Sequence, residues 1–63
     1  MTKERIRSMR LALDLTQRAM AMRVGVNLDT YRSWESGARN PGERARMRLE
    51  EVEAEVLAKA SAA

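Results

Sequence analysis

The stretch Thr16–Pro41, TQRAMAMRVGVNLDTYRSWESGARNP, holds two short helical patterns on either side of a glycine. Thr16 can cap a helix that begins at Gln17, because its side-chain oxygen can accept from a free amide of the first turn. Apolar residues then recur at helical intervals on one face of that helix: Met20, Ala21 and Val24. Gly25 ends the helix, since a residue without a β-carbon readily takes the left-handed conformation found past a helix terminus.

The second helical pattern runs over residues 27–36. Asn27 can cap it, Tyr31 and Trp34 form its apolar stripe, and Gly37 closes it. The small side chain of Ala21 lets the two helices approach closely, because a larger group at the crossing would push their axes apart. Two short helices packed across a sharp turn form a helix-turn-helix.

Five pairs and two single residues of this stretch match a known pattern. The pairs are Thr16-Gln17, Val24-Gly25, Thr30-Tyr31, Trp34-Glu35 and Ser36-Gly37, and the single residues are Ala21 and Pro41. On these residues the chain resembles the phage-repressor and Cro type of helix-turn-helix, the XRE-like family, from Ile6 to about Leu49. Its Tyr-x-x-Trp-Glu-Ser-Gly string also resembles short autorepressors of mobile elements, including those beside anti-CRISPR genes. The resemblance implies an all-α, lambda-repressor-like bundle of four helices.

A first helix precedes the motif. Thr2 can cap it, and it is predicted from Lys3 to about Leu13 with three residues facing inward at helical spacing: Ile6, Met9 and Leu13. The other basic residues of this helix are interpreted as solvent charges: Lys3, Arg5 and Arg7. The family resemblance places Arg10 of the same helix against Glu35, which follows the motif tryptophan.

A long last helix is predicted over residues 41–59. Asn40 is a typical helix cap, Pro41 is typical of the first helical position, and Glu43 is typical of the third. No glycine or proline follows Gly42. We therefore expect one uninterrupted helix, frayed over Ala60–Ala63 because chain ends order poorly. Residues 1–63 are predicted to form a single helix-turn-helix domain with its motif at 16–36.

Composition excludes several classes of function. The 63 residues contain no Cys and no His, so a disulfide framework and the usual zinc sites have no ligands. General acid–base or nucleophilic catalysis lacks candidates, and we expect no enzyme, no cofactor and no small-molecule substrate. No apolar run approaches the length of a membrane span and the N-terminus lacks a signal-peptide core, which predicts a soluble cytoplasmic protein without a membrane partner.

Charge is unevenly distributed along the chain. Residues 1–48 carry 11 Lys/Arg and 5 Asp/Glu, a net +6, whereas residues 49–63 carry 1 Lys and 4 Glu, a net −3. A basic body with an acidic end is typical of a protein that holds a polyanion on one side. An ordinary solvated surface is the plainer alternative, and the motif favours double-stranded DNA.

The outer side of the second motif helix is the predicted base-reading surface, because Tyr31 and Trp34 occupy the inner side. It consists of Leu28, Asp29, Arg32 and Ser33. Leu28 could contact thymine methyls, Asp29 could accept from cytosine, and Arg32 could bridge guanine O6 and N7. Plainer roles stay open: Asp29 would also stabilise a helix N-terminus, and an exposed leucine needs no function.

Phosphate contacts are predicted at the start of the first motif helix, where free amides and the helix dipole attract anions. The predicted contacts there, at the second cap and beyond the motif are Thr16, Gln17, Asn27, Arg39, Asn40 and Arg44.

A homodimer is predicted through the last helix. Its apolar stripe is Ala45, Leu49, Val52 and Val56, with Met47, Ala54 and Ala58 roughly opposite and Leu57 between the two. A core this small cannot cover the distal Val52, Val56 and Leu57, so we expect a second copy to cover them. The chain is predicted to be a sequence-specific transcriptional regulator, a homodimeric repressor on an inverted-repeat operator. The alternative is a protein-interaction module, such as an antitoxin or adaptor, that uses its last helix.

Overall fold

The computed structural model describes residues 1–61, which form four helices. They are α1 (Lys3–Ala12), α2 (Gln17–Val24), α3 (Leu28–Ser36) and α4 (Glu43–Ser61). The described residues contain no strand, and the predicted all-α bundle with a long last helix is confirmed. None of these helices is both long and apolar enough to cross a lipid bilayer.

The first three helices begin at the caps that the sequence predicts. Thr2, Thr16 and Asn27 all have extended backbones, and each side-chain oxygen accepts from the amide three residues later. The three donors are Arg5 at 3.1 Å, Ala19 at 3.1 Å and Thr30 at 2.8 Å. A cap of this kind contributes about 1 kcal/mol, because it satisfies an amide that has no partner inside its own helix.

Two glycines end α2 and α3. Gly25 and Gly37 have φ values of 85° and 84°, which is the left-handed region that side chains with a β-carbon disfavour. A β-carbon at Gly25 would also overlap the guanidinium of Arg48, which would have to move aside. Arg48 Nη1 donates to the Val24 carbonyl at 2.8 Å. The last helix thereby satisfies a free carbonyl at the end of α2.

The predicted start of α4 is wrong. Its first helical residue is Glu43, and the Gly42 carbonyl accepts from the Arg46 amide at 2.8 Å. Asn40 is therefore not the cap, and Pro41 is not the first helical residue. Gly42 decides the boundary, because glycine is tolerated at a cap position but costs about 1 kcal/mol inside a helix.

The predicted end of α4 is also wrong for the described residues. The helix continues through Ala60 to Ser61, beyond the predicted boundary at Lys59. Alanine and lysine are strong helix formers, and no glycine or proline interrupts them. The rest of the fraying prediction, Ala62–Ala63, lies outside the described residues.

One apolar cluster joins the four helices. Its buried members are Ile6, Met9, Met20, Ala21, Val24, Tyr31, Trp34, Leu49 and Val52. Leu13 follows the end of α1 and is half-buried against this cluster. Tyr31 and Trp34 pack edge to face with ring centroids 5.9 Å apart. Both rings are buried in the cluster, so the side of α3 that carries them faces the core.

Val52 does not belong to a free surface, contrary to prediction. It is 6% exposed and is covered by the chain's own core. The crossing of α1 over α4 reaches this far along α4, since Arg5 of α1 pairs with Glu53. Only Val56, which is half-buried, and Leu57, which is 62% exposed, stay available from the predicted dimer surface.

Candidate nucleic-acid interface

A partly buried ion pair anchors α3 to α1. Arg10 Nε donates to Glu35 Oε2 at 2.7 Å, and Arg10 Nη2 donates to Glu35 Oε1 at 3.2 Å. The two side chains are only 14% and 6% exposed. Arg10 Nη1 also donates to the Leu15 carbonyl at 3.0 Å, in the turn between α1 and α2. The expected Arg10–Glu35 pair is confirmed, and it ties three parts of the chain together.

The environment of this pair keeps Glu35 ionised. Burial by itself would raise the pKa of the Glu35 carboxyl, but its polar neighbours, Arg10 foremost, outweigh burial and lower the pKa below its usual value. The same hydrogen bond raises the pKa of Arg10. Burial raises the pKa of the nearby Tyr31 hydroxyl, and the Glu35 carboxylate raises it further. That hydroxyl is buried without a hydrogen-bond partner among the described residues.

Gln17 connects the buried pair to the surface of α3. Its Nε2 donates to Glu35 Oε1 at 3.3 Å, and its Oε1 accepts from Arg32 Nε at 3.3 Å. These side chains line one open cleft together with Arg7 and Ser36. The structure therefore brings a predicted phosphate contact, Gln17, next to a predicted base reader, Arg32.

The four predicted base readers differ in how accessible their polar groups are. Asp29 and Arg32 are exposed, whereas Leu28 and Ser33 are half-buried. The Ser33 hydroxyl donates to the Thr30 carbonyl of its own helix at 2.6 Å, so its donor is already used. Asp29 and Arg32 are consequently the most solvent-accessible polar side chains of this set.

The predicted phosphate contacts lie at two helix starts and in the segment after α3. Thr16 and Asn27 use their cap oxygens for their own helices, and this leaves the Thr16 hydroxyl hydrogen and the Asn27 amide group able to donate. Arg39 and Asn40 are exposed between α3 and α4. Arg44 is exposed in the first turn of α4 and lines a separate cleft beside the α2–α3 turn.

Ion pairs divide the basic residues into two groups. Among residues 1–61, Arg5 pairs with Glu53 and Arg23 pairs with Glu55, which joins α1 and α2 to α4. Apart from Arg10, the remaining cations of this part of the chain have no acidic partner, and these include three predicted DNA contacts: Arg32, Arg39 and Arg44. Two glutamates of α4, Glu53 and Glu55, thus pair with basic residues outside the predicted interface.

Sequence reasoning missed the position of Arg7. The sequence predicts a solvent charge at Arg7, yet this residue lines the cleft that holds Gln17 and Arg32. Its spacing from Arg10 was an available signal, because residues three apart lie on the same face of a helix.

The helix arrangement and this exposed basic cleft define a helix-turn-helix protein, and comparison with known families gives the particular family. A family model described as helix-turn-helix (HTH_3) matches residues 6–52, which is most of the chain. The chain belongs to this XRE-type family, whose members are DNA-binding transcription regulators. Searches of curated proteins and of solved structures found no match.

Proposed function

We propose that the chain is a sequence-specific repressor that binds an inverted-repeat operator as a homodimer and places α3 in the major groove. The observation that carries this proposal is the state of Arg32. Its guanidinium is exposed on α3, has no acidic partner among residues 1–61, and is held beside the start of α2 by Gln17. A planar fork of donors in this state suits the O6 and N7 acceptors of guanine.

The remaining base contacts follow from their positions on the same helix. Asp29 lies three residues before Arg32, so the two share a face, and Asp29 would accept from a cytosine amino group. Leu28 at the first turn would contact a thymine methyl group. Ser33 would act through its acceptor lone pairs, because its hydrogen is bound to Thr30.

Contacts to phosphates would hold the register of α3 in the groove. We assign these to the starts of α2 and α3 and to the basic segment after α3: Thr16, Gln17, Asn27, Arg39, Asn40 and Arg44. A protein bound in this way represses by occupying the promoter, which requires no catalysis. The Tyr31-to-Gly37 string supports the narrower proposal of a mobile-element autorepressor, and a DNA partner would place the protein in the cytoplasm.

The proposed dimer surface lies where α1 and α4 diverge. Val56 and Leu57 of α4, together with Met9 and Ala12 of α1, line a largely apolar groove there. A two-fold axis would let Leu57 of each copy cover the groove of the other. Such a dimer would present two recognition helices to the two halves of a palindromic site.

Selection of bound sequences from a random double-stranded DNA pool tests this function. The proposal predicts enrichment of an inverted repeat with a guanine in each half-site, and loss of the preference for that guanine in Arg32→Ala. An unenriched pool would contradict sequence-specific binding. A single enriched site without a repeat would contradict the two-fold operator.

A protein-interaction module is the second candidate, because three large apolar side chains besides Leu57 are more than half exposed: Leu11, Met22 and Met47. The two functions differ in their response to salt. Binding to DNA weakens steeply as salt rises, because phosphate contacts release counterions. An apolar protein complex without DNA affinity would persist at high salt and would favour this second function.

A further inference from the structure

We infer that Gln17 is a positioning residue that directs the guanidinium of Arg32 and takes its own orientation from the partly buried Arg10–Glu35 pair. Gln17 would thereby contribute to sequence discrimination as well as to phosphate binding. This inference rests on the proposed reading of DNA by α3, and it assigns a second role to a residue of that interface.

The direction of the Gln17 amide follows from its two neighbours. Ionised Glu35 only accepts hydrogen bonds, and the Arg32 guanidinium only donates them. The amide nitrogen therefore faces Glu35 and the amide oxygen faces Arg32, as the two 3.3 Å contacts show. The reversed amide would place oxygen against carboxylate and N–H against guanidinium, so both contacts would become repulsive.

Two features restrain Gln17: its hydrogen bond to Glu35 and its position at the start of α2. Glu35 is held by both hydrogen bonds from Arg10 and is only 6% exposed. Gln17 is the first residue of α2, directly after the Thr16 cap. Arg32 is the one exposed residue of this hydrogen-bonded network, which consists of Arg10, Glu35, Gln17 and Arg32. The partly buried pair therefore restrains Gln17, and Gln17 restrains the Arg32 guanidinium.

Arg32 binds Gln17 and forms no ion pair with Asp29. Asp29 lies three residues earlier on α3, at a spacing that permits an ion pair with Arg32. No such pair forms among residues 1–61, and Arg32 Nε is bound to Gln17 instead. Asp29 and Arg32 are thus both left without an ionic partner among residues 1–61. A guanidinium that is already directed loses less rotamer freedom when it binds.

The two roles of Gln17 can be separated by experiment. Its second amide hydrogen can donate to a phosphate, and this contact contributes equally on any duplex. The effect through Arg32 appears only where a guanine is present to be read. The relevant quantity is therefore the discrimination ratio, which is the Kd on a scrambled duplex divided by the Kd on the selected operator.

The test compares Gln17→Met, Arg32→Ala and the double variant, because methionine keeps the length of glutamine and removes its hydrogen-bonding groups. We expect Gln17→Met to lower the discrimination ratio about three- to tenfold, the effect of one hydrogen bond of ordinary strength. In the Arg32→Ala background, Gln17→Met should leave the ratio unchanged. Arg18→Met, the matched control at the next exposed position of α2, should also leave the ratio unchanged.

Equal losses by Gln17→Met on both duplexes would overturn the inference and leave Gln17 as a phosphate contact only. A discrimination ratio of one for the unmodified chain would instead show that the proposed function fails. The free protein supplies an independent readout, the NMR signal of the Arg32 Nε–H group. That signal should shift toward the position of a solvated guanidinium in Gln17→Met, and an unmoved signal would overturn the positioning role.

Discussion

Among single residues, Arg10 and Glu35 are expected to have the largest effect on stability. Both are largely removed from water and each satisfies the other. Removing one leaves an uncompensated buried charge, so Arg10→Met or Glu35→Leu should each cost about 3 kcal/mol of unfolding free energy. The double variant should cost less than the sum of the two, because no buried charge is left. Chemical denaturation of the three variants measures this, and strict additivity would contradict the coupling.

The pH dependence of stability should follow Glu35. Its pKa is lowered in the folded state, so its contribution to stability is present above the usual carboxyl pKa and is lost as the pH falls through the lower folded value. Melting temperatures of the unmodified chain should therefore fall more steeply on acidification than those of Glu35→Gln. The pKa of Glu53 is also lowered, by Arg5, but solvent screens this more exposed pair. Glu53→Gln should change the acid profile little, and equal changes in the two variants would contradict the assignment.

Residue-scale contacts could be predicted only in part. The Arg10–Glu35 pair was expected from the family resemblance. The bond between Gln17 and Arg32 was not, although both residues were predicted to contact DNA. They lie on different helices, and their approach depends on how α2 and α3 pack, which a one-dimensional pattern does not specify.

At the scale of elements, the turn after α2 depends on Gly25 in two ways. Alanine there would lower stability through strain in a left-handed backbone. It would also displace the Arg48 guanidinium from the Val24 carbonyl. Gly37→Ala is the matched control, because its φ is nearly the same and its nearest neighbour is the flexible end of Lys3.

Both glycine variants should lose about 1 to 2 kcal/mol from backbone strain, and Gly25→Ala should lose about 1 kcal/mol more. Denaturant titrations measure the difference. It should disappear when Arg48→Ala is introduced into both variants. Equal losses in the two single variants would show that Arg48 adds nothing at this turn.

Helix boundaries were predictable where one local signal dominated. Thr2, Thr16 and Asn27 each precede an apolar pattern without a competitor, and the helices begin after them as expected. The start of α4 was missed because two signals compete within three residues. Asn40-Pro41 has the sequence of a helix start, but a helix that began there would contain Gly42.

For the whole molecule, the structure reduces the number of residues available for the predicted dimer surface. Val52 is covered by its own chain, which leaves Val56 and Leu57 beside α1. The sequence indicated an amphipathic last helix but could not specify how far α1 would cover it. That distance depends on the crossing of α1 and α4.

Leu57→Glu should convert a dimer into a monomer without unfolding it, because Leu57 is 62% exposed in its own chain. Burying such a side chain contributes about 1.5 to 3 kcal/mol, and a charge there opposes association. Met47→Glu is the matched control, since Met47 is also on α4 and 56% exposed but lines a different cleft. Sedimentation should show a monomer only for Leu57→Glu. A monomeric unmodified chain would contradict the dimer.

We propose that α3 reads bases while the segment after it holds the DNA backbone, and these two roles can be separated by comparing Arg32→Ala with Arg39→Ala. Both arginines are exposed and neither has an acidic partner among residues 1–61. Titrations on the selected operator and a scrambled duplex at several salt concentrations should separate them. Arg32→Ala should lose about 1 to 3 kcal/mol on the operator and little on scrambled DNA, whereas Arg39→Ala should weaken both and lower the salt slope by about one. Equal losses by Arg32→Ala on the two duplexes would contradict the assignment of α3 as the reading helix.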